Sequence, residues 1–215
     1  TPAQQREWLA PAVKLRIIGS YAQTELGHGS NIRALETTAT FDQAADAIVL
    51  NMPSVTAAKW WPGALGLLCT HAATYARLII DGKDHGFHAF MVQIRDEKHR
   101  PLPGVEVGDI GPKMGYSAYD SGYLMLKGVR VPRFNMLARF QQVAKGGKYT
   151  KAGGGLQKIA YLTMLKTRVF IAQMSGGALA KTLTIALRYN AKRTQGFKNS
   201  KKGGEENAIL DYQIQ

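Results

Sequence analysis

Arg193-Thr194-Gln195 sets a guanidinium fork beside a side-chain amide, donors that suit the oxygens of a phosphate. The same residues also read as the solvated basic end of a helix. Nearer the start, Tyr21-Ala22-Gln23-Thr24-Glu25-Leu26-Gly27-His28-Gly29-Ser30 places one small hydroxyl, Thr24, ahead of two glycines. Gly27 and Gly29 could give the torsions and close backbone approach of a ligand loop, while Thr24 alone reads as an exposed residue at a strand end. His28 has the chemistry of a general base but is read here as a loop or phosphate-side residue. His85 and His88 stand three apart, a metal-like spacing on a helix, but they flank Gly86 beside a strand and no third ligand is evident, so no metal is expected. Gly147-Lys148 invites a phosphate-loop reading. Tyr149 follows where the loop needs Ser or Thr to reach magnesium, so no nucleotide loop is expected there.

The elements that must position these groups change character along the chain. Residues 4–15 read as the tail of a helix, with Trp8, Leu9 and Val13 on one side, closing a preceding helical domain. From Ile17 the texture becomes short β-branched and aromatic segments, at 17–23, 36–41, 47–51, 87–94 and 122–126, punctuated by Gly, Pro, Asn and Asp. Strands at that spacing predict a compact antiparallel sandwich or barrel over 16–144. Residues 145–155, with five glycines and three lysines, read as a linker. Beyond it, Leu162, Leu165, Val169, Ala172, Gly176, Leu179, Leu183 and Ala186 recur at steps of three and four. That is the face of one long helix, or of two helices broken at Gly176-Gly177, beginning an α-helical bundle segment over 156–215. Ile209 and Leu210 read as the start of another helix. The fold class is therefore multi-domain α+β.

Composition narrows the partners. Lys and Arg number 28 against 15 Asp and Glu, a net +13, which suits a nucleic acid, an anionic membrane face or a polyanionic small ligand. Nucleic acid is not expected, because no aromatic-interleaved basic block or zinc-ligand spacing is present. Residues 188–202 carry six Lys or Arg and no acid. The single cysteine, Cys69, fits a reducing compartment. No apolar stretch is read as reaching the roughly eighteen residues of a membrane span.

The Tyr21–Ser30 block, followed by Lys59-Trp60-Trp61-Pro62-Gly63, resembles the flavin-binding middle domain of acyl-CoA oxidases. The resemblance continues through Leu35–Asp42, Asp109-Ile110-Gly111-Pro112-Lys113-Met114-Gly115-Tyr116 and Val131-Pro132-Arg133-Phe134-Asn135-Met136-Leu137, five blocks in the family's order. It implies an FAD enzyme of fatty acid β-oxidation that turns a fatty acyl-CoA into the trans-2-enoyl-CoA and passes the electrons to O₂, giving hydrogen peroxide. It implies that Thr24 hydrogen-bonds the flavin ring, that Trp61 and Gly63 run along it, and that Gly29 and Ser30 lie towards the thioester and coenzyme A. Where acyl-CoA dehydrogenases carry a hydroxyl residue, Gly63 is expected to leave room for O₂. Arg193 and Gln195 match the block that reaches the FAD of a neighbouring subunit, which implies a homodimer, although Gly196-Phe197 inverts the dehydrogenase order.

The family's catalytic base is a glutamate of the C-terminal helical half, expected beyond residue 215, and neither Glu25 nor Glu36 matches it. The chain is accordingly expected to be a piece of a larger peroxisomal enzyme. Its last residues, Gln213-Ile214-Gln215, are not a peroxisomal address. The competing readings are an acyl-CoA dehydrogenase serving an electron-transfer flavoprotein and a non-catalytic module derived from an oxidase.

Overall fold

Every second residue of His71–Ile80 is buried, from Ala72 through Thr74, Ala76 and Leu78 to Ile80, the period of two that a strand shows when one face lies on a core. The computed structural model describes residues 1–152, 158–198 and 203–213, in two units, Thr1–Ala152 and Gly153–Gln215. The first unit holds short N-terminal helices α1 (Pro2–Gln4) and α2 (Ala10–Val13), then β1 (Gly19–Ala22), β2 (Thr38–Asp42), β3 (Ala47–Asn51), β4 (Lys59–Gly63), β5 (His71–Ile80), β6 (Lys83–Gln93), β7 (Val105–Asp109), β8 (Ser121–Leu126), β9 (Val129–Pro132), β10 (Gln141–Val143) and β11 (Tyr149–Lys151).

The larger sheet is organised around β5. One edge of β5 pairs with antiparallel β6. The other is shared between β1, beside His71 to Thr74, and β2, beside Arg77 to Ile79. Both of these pairings are parallel, and β3 and β9 then continue antiparallel from β2. The α+β class holds, but this sheet is mixed where purely antiparallel pairing was expected. The connections from β1 and β2 to β5 are long enough to bring the chain back in the same direction. A smaller antiparallel sheet runs β4-β8-β7. Ala39, Phe41, Ile48, Leu50, Leu78, Phe90, Val92, Leu124 and Leu126 from both sheets form one apolar core, each large side chain contributing about 1.5–3 kcal/mol.

The second unit contains α3 (Lys158–Asn190) and a hairpin of β12 (Thr194–Phe197) and β13 (Glu206–Ala208). The helix is unbroken. A Cβ at Gly176 or Gly177 would meet nothing within 4 Å, so the pair requires neither a kink nor a close neighbour. Val169, Phe170 and Ile171, successive and hence on different sides, are all exposed, so the apolar surface exceeds one stripe. Met164–Asn190 is long and apolar enough, with a mean hydropathy of 1.2, to cross a membrane by length and composition, correcting the expectation that no stretch reaches that length. A core helix of a soluble bundle meets the same criterion, and Lys166, Arg168, Lys181 and Arg188 interrupt this one. The hairpin was not foreseen. Ile209–Asp211 forms a single 3₁₀ turn rather than a helix. Residues 153–155 of the expected linker and 199–202 of the basic run lie outside the described residues.

Two fastenings complete the first unit. Buried Gln4 donates from Nε2 to the carbonyls of Phe134 and Met136 at 2.8 and 2.6 Å, and its Oε1 accepts from the Ala138 amide, docking the N-terminal helical turns. At the other end, Tyr149 to Lys151 form β11 against β10, inside the stretch read as a linker. Buried His88 holds this hairpin: its Nδ1 lies 2.9 Å from the Gly86 carbonyl and its Nε2 lies 2.9 Å from the Tyr149 hydroxyl. A carbonyl can only accept, so Nδ1 carries the proton and Nε2 accepts from Tyr149. Burial, helped by nearby Lys151 and His85 and opposed by the Gly86 bond and Asp84, lowers the His88 pKa below its ordinary 6.5. As pH falls through that ordinary value the unfolded chain takes up a proton that the folded one resists, so stability is lost on acidification, about 1.4 kcal/mol per unit of depression. Thermal melts from about pH 7 to about pH 5 are expected to show a decline that His88→Gln flattens; parallel declines in the two proteins would exclude His88 as the source.

Candidate functional site

The first two sequence blocks lie against each other. After β1 the chain runs antiparallel to the entry of β4: the Trp60 amide donates to the Thr24 carbonyl at 3.0 Å, Leu26 N to Ala58 O at 2.8 Å and Gly27 N to Thr56 O at 2.9 Å. Glu25 and Lys59 form an antiparallel bridge between them. The segment then turns on reciprocal Glu25 and His28 backbone bonds. Glu36 accepts from the hydroxyls of Ser54 at 2.6 Å and Thr56 at 3.0 Å, which holds its pKa below the usual carboxylate range and fixes the turn ahead of β4.

Beneath this surface lies a polar cluster with no exposure. The Lys59 ammonium donates to Glu25 Oε1 at 2.9 Å, to the Gln23 carbonyl at 3.1 Å and to the Tyr75 carbonyl at 2.7 Å. Glu25 also accepts from the Glu36 amide at 2.7 Å, the Thr37 amide at 3.0 Å and the Thr37 hydroxyl. Both side chains are fully buried. Burial pulls the Lys59 pKa down to about 8, against the pull of Glu25, which leaves the ammonium protonated at neutral pH. Neither residue was singled out from sequence for this role, because a Lys and a Glu in polar surroundings read as surface charges.

The residues expected to face a cofactor are displayed above the cluster. Thr24 is exposed and its side chain has no hydrogen bond among the described residues. Trp61 has φ +87° and is 54% exposed, a left-handed backbone that bulky residues rarely adopt and that is characteristic of functional sites. This conformation sits at the irregularity in β4 between Trp60 and Gly63. Trp60 stacks on Tyr123 instead, with centroids 6.0 Å apart. The Gly63 carbonyl accepts from the Ser20 hydroxyl at 2.8 Å.

Two expectations are revised. Gly63 does not leave an open space, since a Cβ there would lie 2.9 Å from the ring of Tyr119, on the loop between β7 and β8. Tyr119 was not anticipated, and no residue pattern marked it. Neither Gly27 nor Gly29 has a positive φ. A Cβ at Gly27 would press on Thr56 at 3.0 Å, whereas one at Gly29 would meet nothing, so close approach explains Gly27 and torsion explains neither. Ser30 is exposed beside Gly29.

The turn after β4 is held from both sides. Buried Arg95 donates to the carbonyls of Leu65, Gly66 and Cys69, and Asp120 accepts from the amides of Leu67 and Leu68. Burial raises the Cys69 thiol pKa to about 11, so it is inert as a nucleophile. Among the described residues no group of three or more His, Cys, Asp or Glu could hold a metal. Arg193 and Gln195 belong to the second unit, flanking and within β12. The Gln195 carbonyl accepts from the Tyr212 hydroxyl at 2.6 Å, and both side chains are without hydrogen bonds among the described residues.

These residues fit an FAD. An exposed hydroxyl without a partner, an outward indole and an unfilled surface at Gly29 suit the polar edge and face of a flat ring. Comparison with known proteins points the same way. Residues 20–129 match the family profile "Acyl-CoA dehydrogenase, middle domain" and residues 161–215 match "Acyl-CoA oxidase, C-alpha1 domain". The chain is 48% identical to the peroxisomal acyl-coenzyme A oxidase 1 of Cavia porcellus, covering 100% of this chain and 32% of the relative. It is similar to the solved acyl-CoA oxidase 1 of Arabidopsis thaliana, with a TM-score of 0.91 and 48% identity over 100% of this chain and 33% of that one. The structure of acyl-CoA oxidase-2 from Caenorhabditis elegans bound with FAD, ascaroside-CoA and ATP matches with a TM-score of 0.87 and 52% identity, over 100% of this chain and 32% of that one. The chain thus spans about a third of the length of these relatives.

The turn that follows Gly63 depends on backbone contact. A Cβ at Gly122 would fall onto the Gly66 amide nitrogen. Gly122→Ala is expected to destabilise the protein by about 1–3 kcal/mol, the range for overpacking a tight contact. Denaturant unfolding checks it, and a midpoint equal to wild type would show that the turn yields freely.

Proposed function

We propose, since this chain belongs to the acyl-CoA oxidase family, that it forms the flavin-holding middle part and the start of the C-terminal helical part of a peroxisomal FAD-dependent acyl-CoA oxidase. The reaction is oxidation of a fatty acyl-CoA to the trans-2-enoyl-CoA with O₂ as electron acceptor and hydrogen peroxide as product, the first step of peroxisomal fatty acid β-oxidation. The observation that carries this reading is the pairing of Thr24 with Trp60, on a stretch where Thr24 and Trp61 are both exposed. The peroxisomal placement is taken from the names of the curated relatives.

FAD would accept the hydride from the substrate and deliver the electrons to O₂. The work of this chain is to hold and orient. Thr24 donates its hydroxyl to the polar edge of the ring, and the Trp61 indole lies along it. Gly29 and Ser30 border the thioester and coenzyme A. Arg193 and Gln195 bind the pyrophosphate or adenine portion of the FAD of a second subunit, making the enzyme a homodimer. Part of the +13 charge is matched by the phosphates of FAD and coenzyme A. The proton next to the thioester carbonyl is removed by a glutamate outside these residues; Glu25 is excluded from that role because it is buried in the cluster with Lys59. The domain division follows the same reading: residues 1–15 end an N-terminal helical domain, the middle domain runs from 16 through the β10–β11 hairpin, and 156–215 open the helical domain.

The full-length natural protein is expected to be yellow with bound flavin, to bleach on anaerobic addition of palmitoyl-CoA and to yield peroxide on admission of air. A colourless protein would point to a module that has lost the chemistry, and a reduced flavin that persists in air with product bound would point to a dehydrogenase. The Tyr119 ring packed over Gly63 is the group that would limit O₂ access at this point. Tyr119→Ala should therefore quicken stopped-flow reoxidation. An unchanged rate would remove this position from any role in O₂ access.

A further inference from the structure

Lys59 and Glu25 are buried more completely than stability alone calls for. A buried ion pair loses the hydration of both charges, and apolar residues of similar volume often serve stability as well or better. Here the pair is also fully satisfied: three acceptors surround the three ammonium protons, and four donors converge on the carboxylate. Four segments meet at this point: Gln23 to Glu25, Glu36 to Thr37, Lys59 on β4 and Tyr75 on β5. The acceptors also have a pattern. Lys59 bonds the residue before Thr24 through its carbonyl and the residue after Thr24 through its carboxylate, so Thr24 is clamped on both flanks with its own hydroxyl left over. The same lysine lies two residues ahead of Trp61, whose left-handed backbone needs surroundings that over-determine it.

We propose that Lys59 and Glu25 are positioning residues for the flavin site, an ion pair that sets Thr24 and Trp61 in register for the isoalloxazine ring without touching it. The inference rests on the FAD-binding reading above and deepens it. Its ligand is the ring itself, and its effect is on affinity for FAD and on the electronic setting of the bound flavin rather than on whether the chain folds.

The test uses the full-length protein in wild-type form and with Lys59→Met, Glu25→Gln and the two combined. Each single variant leaves one buried partner uncompensated and is expected to lower the melting temperature. The double variant removes both charges and should regain most of the lost melting temperature. If the pair positions the site, the double variant still binds FAD at least tenfold more weakly than wild type, with a shifted flavin absorption band and a lower kcat. Recovery of wild-type FAD affinity and spectrum together with thermal stability would overturn the proposal and leave the pair a structural element. Should a single variant fail to fold, the double variant alone decides. A wild-type protein that binds no FAD would instead overturn the flavin reading, and the positioning role with it.

Discussion

A lysine ammonium can be held among apolar strands only where each of its protons has an acceptor, because an unpaired buried charge is among the most unfavourable groups in a folded protein. Lys59 satisfies that condition with three acceptors on two other segments, and Glu25 satisfies its own by drawing on a further one. The consequence is geometric. Two blocks about thirty residues apart in sequence cannot slide past one another without breaking charge-assisted bonds in a low-dielectric interior, where these are stronger than at the surface. The backbone ladder from Thr24 to Gly27 adds register to that constraint, and the surface it supports inherits a fixed spacing.

Above the pair, the site combines a strained backbone with close packing. Pro62 cannot contribute an amide to the ladder between β4 and β8, and the pairing of Lys59 and Trp60 with β8 is displaced before it resumes at Gly63. Trp60 stacks on Tyr123, its cross-strand partner, and the irregularity that begins after it leaves Trp61 exposed. Tyr119 then fills the volume that glycine vacates at position 63. Absence of a side chain at one residue is therefore not absence of atoms, and what surrounds Gly63 is set by a residue of a different loop.

Much of this was legible in the sequence, and the gaps have physical causes. The Tyr21–Ser30 and Lys59–Gly63 blocks were visible as a pair, and they lie against each other through the Thr24–Trp60 and Leu26–Ala58 backbone bonds. β2, β3 and β8 followed from β-branched and aromatic content, and α3 from its apolar spacing. β5 was missed although His71–Ile80 alternates and ends in Asp81-Gly82, whose φ values of +49° and +74° make the two-residue turn that joins β5 to β6; its three small alanines gave a weak signal. The parallel pairings could not be read, because strand direction is decided by where long connections return the chain and local composition is silent about that. The β12–β13 hairpin was hidden by a basic run that read as a solvated helix end. Lys59 and Glu25 were hidden for a related reason, since a charge discloses its burial only through its partners.

The shared edge of β5 has a consequence for how the chain reaches this structure. The pairing of β5 with β6 is local, closed by a two-residue turn of the kind that forms early. Its opposite edge must wait for two strands that arrive from farther away, β1 from roughly fifty residues upstream and β2 from roughly forty, and each pays loop-closure entropy before any contact rewards it. During synthesis β1 and β2 emerge first and have no template to join, so the hairpin made last among the three is the one on which assembly turns. Until they dock, β5 exposes an edge of unpaired amides and carbonyls, the state in which a nascent chain is most open to the wrong partner.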